Sequence, residues 1–260
     1  MEKILKNNID MHSDLHKNQK EYPRILLSGD CAILVEFGDT ISETLYVQII
    51  NFVENLKNEC ENDIITDIIP AFCSVLIEYD VFLTDYYQMK EMIKKTLLKQ
   101  SDIRSRRTRT IEIPVCYGKT YGEDLDFVAE NAGLTSEEVI KIHSSGDYLI
   151  YMLGFMPGFP YLGGLDDRLF TPRLSSPRIR IPAGSIGIGG KQTGIYPLES
   201  PGGWQLIGRT PIKPYKPDRK TPIIYQAGDY IRFIPVGEDE YKRIEREDEN
   251  GQYECKVISV

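Results

Sequence analysis

Histidine is scarce in this sequence: His12, His16 and His143 are the only three in 260 residues. The five cysteines, Cys31, Cys60, Cys73, Cys116 and Cys255, are widely spaced and include no Cys-x-x-Cys pair. These two shortages leave a zinc site unsupported. An odd, scattered set of cysteines reads as free thiols in a reducing compartment. No apolar run reaches membrane-spanning length. Positive charge is in deficit, with a net charge of −8, which argues against a nucleic-acid partner. Residues 1–22 lack the apolar centre of a signal peptide. They read as a polar extension on a cytoplasmic protein that has neither a nucleic acid nor a membrane as partner.

What remains is an ordinary globular composition, 41% hydrophobic and 27% charged, in a chain long enough to bury a sizeable core. Two β-type runs in residues 24–38 are split by the turn signal Ser28-Gly29-Asp30. Residues 41–59 carry Leu45, Ile49, Phe52, Val53 and Leu56 at the spacing of one helical face, with Ser42 placed as N-cap. Two short strands (63–72, 73–80) and a helix (84–100) complete a ββαββα order, which fits a small α+β unit over residues 23–100. Residues 101–110 hold Arg104, Arg106, Arg107 and Arg109 and almost nothing apolar. They read as a solvated basic linker rather than an anion contact.

Residues 111–118 form a strand, followed by two short helices, with Thr135 and Glu138 at capping-box spacing. The pair is acidic, so it offers no recognition helix for DNA. A strand over 147–155 leads into GFMPGFPYLGGLDDRLFTPR, which combines the backbone chemistry of a loop with the side chains of a core. Either this segment packs as a buried irregular element, or it lines a pocket wall. Beyond it, short β-type runs alternate with Gly and Pro turns, the pattern of a closed or nearly closed barrel over 111–237. Residues 238–260 are acidic and read as a surface hairpin with solvated charges.

Between Arg168 and Lys220 the charge reverses, with ten basic residues against Glu199 and Asp218. Arginines bind carboxylates through paired hydrogen bonds, and glycines let backbone N–H groups approach an anion. The reading is therefore a small anionic substrate. GIGGKQTG has the look of a phosphate loop without its spacing, so a tight barrel turn is the alternative. His143 ends a short helix, where the dipole is expected to raise its pKa. It is a candidate proton carrier, with a structural role as the alternative. Trp204 is the sole tryptophan, either core or the wall of a cleft.

GFMPGFPYLGGLDDRLFTPR and IPAGSIGIGGKQTGIYPLESPGGWQLIGRTP resemble the signature segments of the 5-oxoprolinase B-subunit family. That family also includes a sporulation-kinase inhibitor and relatives named allophanate hydrolase subunit 1. The resemblance extends to GDCAILVEFG, VCYG and SEEVIKIHSS, over roughly residues 24–236. It implies an α+β fold: a small N-terminal α+β domain followed by a cyclophilin-like β-barrel domain. It further implies opening of 5-oxoproline to L-glutamate together with subunits C and A, with ATP and magnesium as co-substrate of the assembly. Inhibition of a sporulation histidine kinase is the alternative, and a urea-type carboxyl transfer a weaker third. On this reading the loop residues Phe155, Pro157, Gly158 and Phe159 become substrate-binding candidates. So do Arg173, Arg178, Arg180, Lys191, Gln192, Thr193, Tyr196, Glu199, Trp204 and Arg209, with His143 catalytic. The loop's apolar residues would keep a cleft wall dry.

Overall fold

The structure is a computed structural model that describes residues 21–59, 63–99 and 109–259. The polar extension, Cys60 and the linker arginines Arg104, Arg106 and Arg107 lie outside the described residues or, for the extension, almost wholly so.

The N-terminal unit is a four-stranded antiparallel sheet in the order β1-β2-β4-β3, formed by β1 (Arg24–Leu27), β2 (Ala32–Glu36), β3 (Ile65–Pro70) and β4 (Ser74–Tyr79). Helices α1 (Glu43–Glu59) and α2 (Tyr86–Leu97) supply its second layer. Ser42 accepts the backbone N–H of Leu45 at 3.2 Å, so the expected cap is in place. Tyr46, Ile49, Phe52, Val53 and Leu56 are the buried face of α1. That face meets Ile33, Val35, Val75 and Ile77 of the sheet and Met89 and Ile93 of α2.

The second unit begins at β5 (Arg109–Tyr117), so the last two positions read as linker are already strand. Helices α3 (Leu125–Ala132) and α4 (Ser136–Ser145) follow, the latter started by the expected Thr135–Glu138 capping box. The chain continues through β6 (Tyr148–Leu153), β7 (Pro160–Gly163), a 3-10 turn at Asp167–Leu169, β8 (Arg178–Ile181), β9 (Ser185–Gly189) and β10 (Gln192–Ile195). The remaining strands are β11 (Ser200–Gly202), β12 (Gln205–Arg209) and β13 (Tyr230–Pro235). The main sheet runs β10-β9-β12-β5-β13-β6-β7, with β5 and β13 parallel and the other neighbours antiparallel. Its end strands β7 and β10 come close together, giving a nearly closed mixed barrel. Strands β8 and β11 form a separate ribbon. The β-type run PIIYQ contributes only an isolated bridge, Tyr215 to Ile223, and not a strand.

The acidic tail differs from the hairpin expected of it. Residues Glu238–Glu249 form helix α5, and Val257–Ser259 form β14, which pairs antiparallel with β5. Tyr241, Ile244 and Asp248 share one face of α5 and are buried, and Ile244 belongs to the barrel core. Three acids in its first turn complement the positive end of the helix dipole. Charge density concealed a narrow apolar stripe.

Candidate functional site

The segment from Gly154 to Phe159 is the loop between β6 and β7. It is neither all core nor all wall. Phe159 is buried, and its ring meets Phe155 at 5.6 Å, Tyr161 at 5.2 Å, Tyr196 at 5.5 Å and Trp204 at 5.7 Å, each in an edge contact. Ile181 and Leu206 complete this cluster, with Met156 and Tyr161 at its margin. Phe155 and Pro157, by contrast, are exposed.

Trp204 explains the glycines of the β9–β10 hairpin. A β-carbon at Gly189 would stand 2.4 Å from the indole ring, and one at Gly194 would stand 3.0 Å away. The hairpin is therefore a slot for a tryptophan. At its tip Gly190 has φ +67, and its N–H donates to the Thr171 carbonyl at 2.8 Å. The tight-turn alternative describes this motif, since the tip N–H is already engaged.

The local charge excess is mostly cancelled by acids from elsewhere in the chain. Arg178 pairs with Asp124 at 2.8 Å and Glu123 at 3.0 Å, and also donates to the Trp204 carbonyl. Asp124 in turn accepts the Leu206 N–H at 2.6 Å. Arg178 thus clamps the strand that follows Trp204. Arg180 pairs with Glu199 at 2.6 Å, Lys191 with Asp167 at 3.4 Å, Arg168 with Asp166 and Lys216 with Asp248. Arg219 donates to the carbonyls of its own loop. Arg173 is different: its guanidinium lies over the Trp204 ring at 5.6 Å, and among the described residues no carboxylate pairs with it. Burial pushes the Tyr196 phenol pKa up, while Arg173, the Trp204 backbone N–H and Arg178 pull it back. Arg209 lies apart from this cluster, over Tyr121 at 5.9 Å, beside the Tyr121–Tyr241 ring pair.

His143 is wholly buried. Its Nδ1 faces the Tyr117 hydroxyl at 2.8 Å, its Nε2 faces Thr193 Oγ1 at 2.9 Å, and Phe233 stacks on the ring at 4.7 Å. Thr193 donates to the Gly187 carbonyl at 3.0 Å. Its oxygen can then accept from Nε2–H, which leaves Nδ1 to accept from Tyr117. The pKa moves opposite to expectation: burial lowers it to about 3, outweighing the helix dipole.

The structure thus brings Phe155, Phe159, Tyr196, Trp204 and Arg173 together. Gly158 supports them, while Thr193 belongs to the His143 network. Lys191 and Gln192 lie at the hairpin end, and Glu199 serves Arg180. Sequence reasoning missed Asp124, hidden in an acidic stretch whose only visible signal was that of a helix start.

The sequence and the fold both recur in known proteins. A family model described as carboxyltransferase domain, subdomain C and D, matches residues 23–225. The chain is 40% identical to the B subunit of 5-oxoprolinase from Bacillus subtilis over 229 residues, covering 84% of this chain and 95% of that protein. It is 51% identical to the 5-oxoprolinase B subunit of Escherichia coli O157:H7 over 140 residues, 54% of this chain and 64% of that one. The crystal structure of TTHA0988 superposes with a TM-score of 0.68 at 36% identity, over 79% of this chain and 40% of the other. The urea amidolyase of K. lactis shares the fold alone, with a TM-score of 0.76 at 23% identity, over 91% of this chain and 16% of that chain. With the match running almost the full length of the Bacillus relative, this chain belongs to the 5-oxoprolinase B-subunit family.

Proposed function

We propose that the chain is the B subunit of an ATP-dependent 5-oxoprolinase that opens 5-oxoproline to L-glutamate with subunits A and C. The observation that carries the reading is Arg173, a cation over the Trp204 ring with no carboxylate partner among the described residues, at the edge of a buried aromatic cluster. A cyclic amide that carries a carboxylate offers an apolar ring and one negative charge. The aromatic cluster suits the ring, and Arg173 suits the charge. A lactam is a poor electrophile, and ATP supplies phosphoryl activation of its carbonyl oxygen. This chain's part is to bind, to orient and to keep water from the ring side.

The test is glutamate release from 5-oxoproline with ATP, by the chain alone and by the complex with its cognate subunits. Turnover is expected only in the complex. Arg173→Ala should weaken it about ten- to a hundred-fold, since a charge-assisted hydrogen bond contributes about 1.5–3 kcal/mol. A complex with no turnover, or one indifferent to Arg173→Ala while folded, would overturn the reading.

A further inference from the structure

Phe155 has φ +65, a left-handed backbone conformation. The Met156 N–H donates to the Gly154 carbonyl at 2.7 Å, across a single residue. That bond closes a γ-turn centred on Phe155, a form that is rare and strained for a residue with a β-carbon. The surroundings enforce it. Gly154 N–H donates to the Phe159 carbonyl, and Phe159 N–H to the Met156 carbonyl, both at 3.1 Å. From the core, the Tyr225 hydroxyl donates to the Gly158 carbonyl at 2.7 Å. Gly158 itself has φ +79, and a β-carbon there would meet Tyr215 at 3.1 Å. The loop is preorganised.

The strain does nothing for the fold's own packing. Phe155 is 67% exposed and touches the cluster only by an edge contact with Phe159. Its neighbour Pro157 is exposed too. Glycine would adopt this backbone at lower cost and would remove an apolar ring from water. Strain held in place by its surroundings, without benefit to packing, marks a functional position.

We propose that Phe155 is an anchor by which this chain docks to another protein of its assembly, its ring entering an apolar recess on that protein. This rests on the reading of the chain as one component of a larger enzyme. A small ligand is enclosed by its site, whereas a ring standing out from a loop needs a recess supplied by another surface. A rigid aromatic on a preorganised turn loses little conformational freedom on association, which favours a protein partner. The relatives are each named as one lettered subunit of 5-oxoprolinase, which supplies the occupant: a companion subunit of the same enzyme.

The experiment compares Phe155→Gly and Phe155→Ala with wild type, by calorimetric titration against the purified cognate subunits and by thermal melting of the chain alone. Phe155→Gly should melt at or above wild type while associating about ten-fold or more weakly. Phe155→Ala, which keeps the strain, should associate as weakly without a gain in melting temperature. Wild-type association with unchanged affinity in Phe155→Gly overturns the proposal and leaves the proposed function standing. Intact association with a raised KM for 5-oxoproline overturns it in favour of a substrate contact. A lower melting temperature in Phe155→Gly than in Phe155→Ala makes the residue structural. Failure of wild type to associate at all refutes the multi-subunit reading and this inference together.

Discussion

His143 stands at the end of a helix dipole that favours its charged form, yet burial outweighs that attraction and lowers its pKa to about 3. A group this far from titrating near neutrality is a poor proton carrier, and its two hydrogen bonds and stacked Phe233 are the work of a structural residue. The stability consequence has a definite sign. The unfolded chain's histidine gains a proton below about pH 6.5, whereas the folded one stays neutral down to about pH 3. The stabilisation is therefore complete above pH 6.5 and is lost as the pH falls toward 3, at about 1.4 kcal/mol per pH unit. Denaturant unfolding at pH 7 and pH 5 should show wild type losing about 2 kcal/mol more than His143→Gln. Parallel losses in the two proteins would show that His143 titrates normally. Gln retains a donor and an acceptor for Tyr117 and Thr193, so this variant should keep near-normal turnover in the complex.

Among the elements, the β9–β10 hairpin makes the sharpest demand on its sequence, because it must admit an indole ring between strands. Gly189→Ala would place a methyl group 2.4 Å from the indole, so Trp204 or the hairpin must move. Such overpacking costs about 1–3 kcal/mol. Trp204 is the only tryptophan in the chain, so its emission reports on that slot directly. A red shift is expected in Gly189→Ala. Gly190→Ala is the control: it strains the φ +67 tip but meets nothing within 4 Å, and should leave the emission unchanged. An unshifted Gly189→Ala spectrum would mean that the slot is not filled as described. Elements of this kind were legible where one signal dominates. Periodicity placed α1, and the Thr135–Glu138 spacing placed the start of α4. Helix α5 was not legible, because its stripe is only Tyr241, Ile244 and Asp248 among charges. The basic segment was legible as a charge excess but not as pairs, since Asp124, the Arg178 partner, lies 54 residues away in sequence. Only folding shows that Arg173 is left without a carboxylate among the described residues.

At the scale of the molecule, the two units share a small aromatic interface that also reaches the candidate site. Tyr46 of α1 packs edge-on to Tyr151 of β6 at 5.3 Å, and Phe72, beside β4, meets Tyr151 at 5.3 Å and Tyr161 at 5.8 Å. Tyr161 in turn meets Phe159 of the aromatic cluster. Near this junction, Asp229 is fully buried and takes both oxygens to Arg109, at 2.7 Å each, where β5 begins. Leu149 and Tyr151 are buried together with Tyr46, so neither unit can leave without exposing the other's apolar surface. The two should therefore unfold as one cooperative body, with calorimetric and van't Hoff enthalpies in agreement. Replacing Tyr46 and Phe72 by Ala removes the rings that the N-terminal unit contributes, at about 3 kcal/mol or more for each well-buried aromatic. The sheet of each unit keeps its own core, Ile33 and Val75 in one and Ile113 and Phe233 in the other. The double variant should then show two calorimetric transitions where wild type shows one. A single transition merely shifted to lower temperature would mean that the chain connection and the Arg109–Asp229 pair couple the units without these rings. Because Phe72 supports Tyr161 and Tyr161 supports Phe159, the same variant should also shift the Trp204 emission, linking the N-terminal unit physically to the site on the barrel.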